Sequence, residues 1–579
     1  MKKLKYSAIV AVVLSAALSI TACSSANNSP TSTDGSSNNS PKVNNSSTAA
    51  PLPDITLTLR GSDSPVPGVQ NNEIMNEIAK ELGIKIDYST RDATKDKVVL
   101  AGGDLPDIMQ IDNVDLPTYI KGDHIIPLDD LLTEYGQDIA KNVPKMVSFS
   151  KQHLSADTGK LYGLTTNIEV NKTSSSPVYN YDIGPTLRWD YYKELGYPEI
   201  TNDDQLLDIL KQMQQKYPKT ADGKPVYGIS GWTDWGLWPY YVSYAFSHGY
   251  MDGVADAYLI DAKGNLQSNF TAEGGIFKDA MQFMNKAYNM GLVDPEMFTQ
   301  KNTDFVAKVK NLQILSVQST WWNGDAQKAM LAQGIKEGGY YQIPGLTPSV
   351  WEGYGSPILG GLSTRSFVIS KNSKNPKRAM QFLNFLYSYK GSHLLNNGIE
   401  GKHWDLENGK PEFKDATLEA MKTDSTFRET SGIGLYANMI GLLGNDDSGN
   451  PLTLGSTDKA MKFNVSDADK DFNAHYGVDY PGQAFIKAQE AGKAKVEKFD
   501  TTWRDLMPEQ PSDIKMIEGK ISNYELPWVA KLILSKSDAE FEKMWTKGVE
   551  DMKAMGYDEL MKWTIENNAS AVQQVSEIN

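Results

Sequence analysis

From residue 54 onwards, the chain switches repeatedly between two hydrophobic patterns. Some short segments alternate apolar and polar residues, as half-buried strands do, and others place apolar residues three and four positions apart, as amphipathic helices do. Gly83 follows the first helical segment as a stop signal. The pattern predicts strands over 54–60, 84–88 and 107–111 and helices over 69–82 and 95–101. This β-α-β-α-β order is typical of a mainly parallel sheet with helices on both faces.

The same alternation continues through the middle of the chain, without a regular repeat. The C-terminal third is richer in helical patterns than the rest. The predicted elements are helices over 203–216, 275–290, 376–389, 483–499 and 538–555 and strands over 226–230, 312–317 and 366–370. Together these elements indicate an α/β protein with a helix-rich C-terminal part.

The N-terminus has the pattern of a bacterial lipoprotein signal. Three lysines (Lys2, Lys3 and Lys5) precede the apolar run SAIVAVVLSAALSITA, which is short for a membrane-spanning helix and ends directly before Cys23. The residues ITAC match the lipobox, in which the cysteine is acylated. We expect a signal peptide over 1–22 and a flexible Ser/Asn-rich tether over 23–50. A spanning anchor or a simple secretory cleavage is the alternative.

Composition and charge exclude several classes of function. The 579 residues carry 57 Lys and Arg against 72 Asp and Glu, a formal charge of −15 that argues against nucleic-acid binding. Because Cys23 is the single cysteine, neither an internal disulfide nor a cysteine-based metal cluster is expected. No serine-hydrolase elbow, zinc-protease helix or phosphate-binding loop occurs in the chain. We expect neither an enzyme nor a cofactor.

Several short motifs, in this order and spacing, resemble one protein family. They are GDLPDI at 103–108, IPLDDL at 126–131, LYGL at 161–164, LRWD at 187–190, KELG at 193–196, NPKRA at 375–379 and GIEGKHW at 398–404. Together with the lipobox, they resemble the extracellular solute-binding proteins of carbohydrate ABC importers (solute-binding protein family 1). Within that family, the likeness is to the large LipO-type lipoproteins of Gram-positive bacteria, and it runs from residue 51 to the C-terminus.

The resemblance implies a two-lobed periplasmic-binding-protein-like fold with a cleft between the lobes. The N-terminal lobe would take residues 51–170 and 365–425, and the C-terminal lobe residues 171–364 and 426–579. A protein of this kind captures an oligosaccharide in the cleft and delivers it to the permease of an ABC importer. We therefore expect a monomer held by lipid on Cys23 at the extracellular face of the cell membrane.

Two groups of tryptophans are candidate sugar platforms, because sugars stack their apolar faces on flat aromatic rings. Trp232, Trp235 and Trp238 follow the predicted strand 226–230, and Trp321 and Trp322 follow the predicted strand 312–317. Loops at the carboxyl ends of parallel strands are where open α/β sheets bind ligands. Burial in the core is the alternative for each ring, and neighbouring rings on an extended segment face opposite ways.

Polar side chains near the same strand ends are the candidate hydrogen-bonding partners. Asp234 lies among the tryptophans and is either a hydroxyl acceptor or a helix cap. In the first lobe, Arg60 and Asp63 follow the first strand and Asp112 follows the third. A surface ion pair is the alternative for Arg60 and Asp63.

The segments between the lobes supply the last candidate ligand-binding residues. Tyr354 and Arg365 flank a Gly-rich segment that resembles the family's crossing between lobes, and Arg365 would reach a hydroxyl or a carboxylate. Tyr181 and Arg188 are expected at the entry to the second lobe, with burial as the alternative.

Two other functions and a metal ion remain open alternatives. Carboxylates are numerous enough for a pair to hydrolyse a glycoside, and the ligand of a receptor is either a sugar or another solute such as a peptide. Some large members of the family carry a calcium loop between a helix and the next strand. The matching stretch, 217–225, holds one carboxylate and two lysines, so we expect no metal.

Overall fold

The computed structural model describes residues 54–578, apart from 62–64, 92, 172–182, 254–255, 347–348, 357, 361–364 and 425. The predicted signal peptide, Cys23, the tether, Asp63 and Tyr181 lie outside the described residues, and so does the side chain of Tyr354. Among the helices of this part of the chain, none is both long and apolar enough to cross a membrane.

The described residues form 19 strands, most of them short. They are β1 (Ile55–Gly61), β2 (Gly68–Val69), β3 (Ile84–Thr90), β4 (Ile108–Asp112), β5 (Leu164–Thr165), β6 (Ile168–Val170), β7 (Thr186–Arg188), β8 (Tyr227–Ile229), β9 (Tyr250–Asp252), β10 (Tyr258–Asp261), β11 (Leu266–Ser268), β12 (Ile314–Ser316), β13 (Tyr340–Gln342), β14 (Ser349–Gly355), β15 (Arg365–Ile369), β16 (Trp404–Glu407), β17 (Lys410–Phe413), β18 (Leu442–Gly444) and β19 (Lys495–Asp500).

The same residues form 22 α-helices, and the longest of them lie near the C-terminus. They are α1 (Glu73–Leu82), α2 (Ala93–Gly102), α3 (Leu116–Lys121), α4 (Asp129–Tyr135), α5 (Gln137–Asn142), α6 (Pro144–His153), α7 (Trp189–Glu194), α8 (Asp203–Lys216), α9 (Trp238–Ser247), α10 (Ile276–Asn289), α11 (Asn302–Lys310), α12 (Asn323–Ala332), α13 (Pro376–Leu386), α14 (Tyr389–Asn397), α15 (Asp415–Thr423), α16 (Phe427–Ser431), α17 (Asp458–Phe463), α18 (Asp467–Tyr476), α19 (Gly482–Glu490), α20 (Ser512–Ile533), α21 (Asp538–Met555) and α22 (Tyr557–Ile578).

The largest sheet in the described part of the chain has six strands in the order β2-β3-β1-β4-β15-β5. Its centre is parallel, because α1 and α2 carry the chain from β1 to β3 and from β3 to β4. Strand β15 arrives from far along the chain and pairs antiparallel with both β4 and β5. The prediction of a mainly parallel sheet is therefore wrong for this sheet, which is mixed.

The buried side chains form two large cores, consistent with a two-lobed body. One surrounds the six-stranded sheet and draws on residues between 57 and 168 and between 358 and 452. The other draws on residues between 187 and 346 and between 468 and 575. Ile433, Tyr436 and Leu442 belong to the first core, although the sequence predicts their segment in the second lobe. We therefore propose that the first lobe extends to about residue 452.

One predicted helix is only half right. The segment 483–499 begins as α19 but turns at Gly492, which has a φ of 70°, and continues as β19. Strand β19 pairs in parallel with β14, which follows the 187–346 part of the second core and precedes Ile358 of the first core. This strand pair therefore lies on a crossing between the two cores.

A short 3-10 turn, Thr502–Leu506, connects the two cores through side chains. Leu506 packs against both cores. Beside it, the Asn113 amide donates to the carboxylate of Asp505 at 3.2 Å, and the hydroxyls of Thr502 and Ser356 lie 2.6 Å apart. The turn therefore joins the end of β4 to the second lobe.

The packing of α20 against α21 yields a test that uses two helical glycines. A Cβ at Gly548 in α21 would lie 2.0 Å from Trp528 Nε1, which already donates to the Met544 carbonyl. We expect Gly548→Ala to lower the free energy of unfolding by about 1–3 kcal/mol. Gly519 in α20 has open space around its Cβ position, so Gly519→Ala is the matched control and should raise stability by about 0.5–1 kcal/mol. Urea denaturation measures both, and equal effects would contradict the packing.

Candidate functional site

The tryptophan loop, residues 231–238, leaves the carboxyl end of β8. Strand β8 pairs in parallel with β12, which is followed by a 3-10 turn, Thr320–Trp322. Both groups of tryptophans therefore emerge at the same edge of this two-stranded sheet, where open α/β folds place their ligands.

Three of the five rings form a surface that we call the tryptophan platform: Trp235, Trp238 and Trp321. The indoles of Trp238 and Trp321 are stacked, with centroids 5.8 Å apart and planes 11° from parallel. Trp235 meets Trp238 edge to face at 5.5 Å. Trp235 and Trp321 remain 44% and 49% exposed, which is unusual for such large apolar side chains.

The other two rings, Trp232 and Trp322, are buried beneath the platform. They lie 5.4 Å apart and both contact Phe305 of α11, in a small third core. Their prediction as ligand-binding residues is therefore corrected to a supporting role. The neighbours Trp321 and Trp322 divide between surface and core, as expected for adjacent rings.

Two buried glutamines hold the backbone of the tryptophan loop. The side-chain amide of Gln300 donates to the Gly231 carbonyl at 2.5 Å, and its own backbone carbonyl accepts from the Thr233 N–H at 3.0 Å. Gln318 donates to the Ser230 carbonyl at 2.6 Å. Because the loop carbonyls are buried, these bonds avoid the cost of leaving them unpaired.

A buried ion pair supports the start of the same loop. Asp294 is 0% exposed and accepts from Lys308 Nζ at 2.6 Å and from the Ser230 hydroxyl at 2.7 Å. Burial alone would lower the pKa of Lys308, but hydrogen bonds to Asp294 and Glu296 raise it above its ordinary value. Lys308 therefore stays charged, and the pair links α11 to the end of β8.

Asp234 adopts the capping role that the sequence left open. Its side chain is exposed, and its carboxylate accepts from the backbone N–H of Asn302 at 2.9 Å, in the first turn of α11. This contact fixes the middle of the tryptophan loop to the helix below it.

In the first lobe, five charged side chains form a continuous chain along the carboxyl ends of β1, β3 and β4. Arg60 contacts Asp96 at 2.5 Å, Asp96 contacts Arg91 at 3.4 Å, Arg91 contacts Asp112 at 2.8 Å, and Arg365 contacts Asp112 at 3.0 Å. Sequence reasoning missed Arg91 and Asp96. Arg91 directly follows β3, so the strand-end rule that singled out Arg60 and Asp112 also applies to it.

The environment of Asp112 keeps its carboxylate ionised. Burial acts to raise the pKa of Asp112, but hydrogen bonds and charge from Arg91 and Arg365 lower it below its usual range. Asp112 and Arg365 are the more exposed end of the chain of charges, whereas Arg60 is largely buried against Asp96. Asp112 and Arg365 are therefore the members best placed to contact a ligand.

Arg188 is not accessible to a ligand, which corrects its prediction. The residue is 0% exposed, its Nε donates to Asp190 at 2.8 Å, and its guanidinium lies 4.2 Å from the ring centre of Tyr191. Asp190, the acid of the same LRWD motif, therefore pairs with Arg188 inside the lobe. Tyr354 lies in β14, where its backbone is opposite Phe499 of β19.

The segment that matches the family's calcium loop is closed by its own side chains. The Thr220 hydroxyl donates to Asp222 at 2.5 Å, and Lys224 Nζ lies 3.0 Å from the same carboxylate. A lysine ammonium on the single carboxylate does not fit a cation that needs six to eight oxygen ligands. Among the described residues, no group of three or more His, Cys, Asp or Glu side chains is arranged to hold a metal ion.

A two-lobed α/β body with aromatic rings at strand ends is the architecture of a solute-binding protein, and the comparisons agree. Residues 68–393 match the model of the family described as bacterial extracellular solute-binding protein. The match covers more than half of the chain, so this protein belongs to that family. The predicted family and fold class are confirmed.

One curated relative and two solved structures illustrate the likeness. The fructooligosaccharide ABC transporter substrate-binding protein FusA of Streptococcus pneumoniae is 27% identical over 277 residues, 46% of this chain and 50% of that protein. This alignment thus spans only half of FusA. The alginate-binding protein AlgQ2 superimposes with a TM-score of 0.56 at 18% identity, covering 89% of this chain and 98% of AlgQ2.

The second structure is an HMO-binding solute-binding protein from Bifidobacterium longum infantis. Its TM-score is 0.57 at 16% identity, and the superposition covers 89% of this chain and 98% of that protein. At such low identities, these two structures establish the shared fold alone.

The buried ion pair under the tryptophan loop can be tested with two lysines of one helix. Replacing Lys308 by Met leaves the Asp294 carboxylate buried without its cation, and we expect the free energy of unfolding to fall by about 3 kcal/mol. Lys310→Met is the control, because its pair with Asp325 is half exposed and should be worth less than about 1 kcal/mol. Chemical denaturation of both variants measures the difference, and similar losses would contradict the support described here.

The loop closed by Lys224 yields a second test. We expect the melting temperature to be the same in millimolar calcium as in a chelator, because the loop offers a single carboxylate, which the Lys224 ammonium already contacts. Differential scanning calorimetry in the two buffers measures this. Lys224→Met should leave the response to calcium equally flat, and an increase in melting temperature with calcium would show that this chain has a calcium site.

Proposed function

We propose that this protein is a lipid-anchored extracellular receptor that captures an oligosaccharide between its two lobes and delivers it to the permease of an ABC importer. The observation that carries the proposal is the tryptophan platform, a stacked and partly exposed aromatic surface at a strand edge. Exposing such rings to water has a free-energy cost that binding a partner would recover.

The platform and the charged side chains of the first lobe provide complementary chemistry for a sugar. Indole rings pack against the apolar C–H faces of pyranose and furanose rings. Asp112 accepts hydrogen bonds from hydroxyls, and Arg365 donates to hydroxyl or carboxylate oxygens. Placed on different lobes, the two groups contact opposite sides of one ligand when the lobes close.

The names of two relatives support the proposed function. FusA is named for fructooligosaccharides and for an ABC transporter, and one structural neighbour is described as HMO binding and ABC-transporter associated. By analogy, we propose an oligosaccharide ligand and permease subunits as partners of this chain, which would act as a monomer.

The lipid anchor is a further part of the proposal and rests on the sequence. A tether of the length and composition of residues 23–50 has a root-mean-square reach of roughly 30 Å, from about 5–6 Å times the square root of its residue number. Acylation of Cys23 would therefore hold the body close to the membrane and leave it free to turn.

We also propose that the protein performs no chemistry on its ligand. Three carboxylates in or beside the tryptophan loop have structural partners: Asp234 caps α11, Asp294 pairs with Lys308 and Asp256 accepts from the Leu237 N–H. Incubation with xylan, pectic, glucan and fructan oligosaccharides should release no new reducing ends. Turnover of any of them would favour the alternative of a surface glycoside hydrolase.

Removing the two exposed rings of the platform tests the receptor. In the double variant Trp235→Ala and Trp321→Ala, we expect the dissociation constant for the bound oligosaccharide to rise by about thirtyfold or more, since one anchoring indole is typically worth about 2 kcal/mol. Isothermal titration calorimetry against a glycan panel, extended to peptides, identifies the ligand and measures the loss.

Leu331→Ala is the control for that experiment. Leu331 is about as exposed as the two replaced indoles. It lies on α12, the helix that begins directly after Trp322, and it is not part of the platform. Its replacement should leave the affinity unchanged. If the double variant binds every glycan as the wild type does, or if only peptides bind, the proposed platform is wrong.

A further inference from the structure

Asp256 contacts the tryptophan loop from outside it. One carboxylate oxygen accepts from the backbone N–H of Leu237 at 3.0 Å, and the other accepts from the Tyr241 hydroxyl at 3.0 Å. These two donors belong to the end of the loop and to the second turn of α9. The carboxylate therefore joins the loop to the helix that Trp238 begins.

The backbone of the loop is shaped to admit this carboxylate. Gly236, between Trp235 and Leu237, has a φ of +62°, and a Cβ there would lie 2.7 Å from Asp256 Oδ2. A side chain at this position would both strain the backbone and displace the carboxylate. The glycine thus allows the acid to reach directly between two residues of the platform.

We propose that Asp256 positions the tryptophan platform, because its carboxylate holds the Leu237 end of the tryptophan loop to Tyr241 of α9. The platform's role in binding rests on the function proposed above, but the hold of Asp256 on the loop does not.

Hydrogen–deuterium exchange of the segment 231–241, measured without sugar and corrected for intrinsic rates, tests the positioning. For Asp256→Asn we expect exchange about tenfold faster than in the wild type near pH 6.5, since the neutral amide offers one acceptor oxygen for two donors.

Asp261→Asn is the matched control for charge loss next to the same strand. Asp261 ends β10 and accepts from the N–H groups of Lys263 and Asn265 in its own turn, a role that asparagine also fills. Its exchange in 231–241 should match the wild type. Tyr241→Phe removes one of the two bonds and should give a smaller increase, which keeps the test valid if Asp256→Asn does not fold.

The outcomes separate this inference from the proposed function. Wild-type exchange in both Asp256→Asn and Tyr241→Phe would overturn the positioning role. If exchange changes as expected but no glycan binds at any pH, the positioning stands and the proposed ligand is wrong. If a glycan binds, its dissociation constant should rise about tenfold in Asp256→Asn and in the control should equal that of the wild type.

Discussion

The burial of Trp232 and Trp322 is the constraint on which the candidate site depends. These two indoles fill a small core with Phe305, so the space beneath the neighbouring rings is already occupied. Trp235 and Trp321 are therefore left at the surface, where they would not remain through their own hydrophobicity. The exposed platform is a consequence of packing beneath it, and this explains how five tryptophans lie together while only some of them reach solvent.

The polar groups under the tryptophan loop pair with backbone carbonyls that this packing buries. A loop that passes over a core buries carbonyls at Ser230 and Gly231, and burial is tolerable only with donors at hydrogen-bond distance. Gln318 and Gln300 supply them. The Asp294–Lys308 pair adds rigidity more than stability, because desolvating two charges offsets most of their attraction. Such a network favours a single loop conformation, and a preorganised surface loses less entropy on binding.

The sequence predicts the elements better than their assembly. The helices α8 and α21 have the predicted bounds, because hydrophobic periodicity and a capping residue are local signals. The position of β15 between β4 and β5 and the membership of Ile433 in the first core depend on contacts between distant segments, and no local pattern encodes them. In the site, the sequence predicts that only one of Trp321 and Trp322 reaches the surface, but it does so for an extended segment, whereas both residues lie in a 3-10 turn. Asp256 could not be found, because nothing in its neighbouring residues marks it as a partner of the tryptophan loop.

The connection between the lobes limits how a ligand can act on this protein. Leu506 packs against both cores, and the Asn113–Asp505 bond joins the end of β4 to the second lobe at the same place. If the lobes move relative to each other, this turn must either serve as the pivot or lose these contacts. A ligand shifts such an equilibrium only by the difference in its affinity for the two arrangements. In the function proposed above, a sugar that contacts the platform on one lobe and Asp112 and Arg365 on the other would gain that difference only when the lobes approach, so that binding and closure would become a single step.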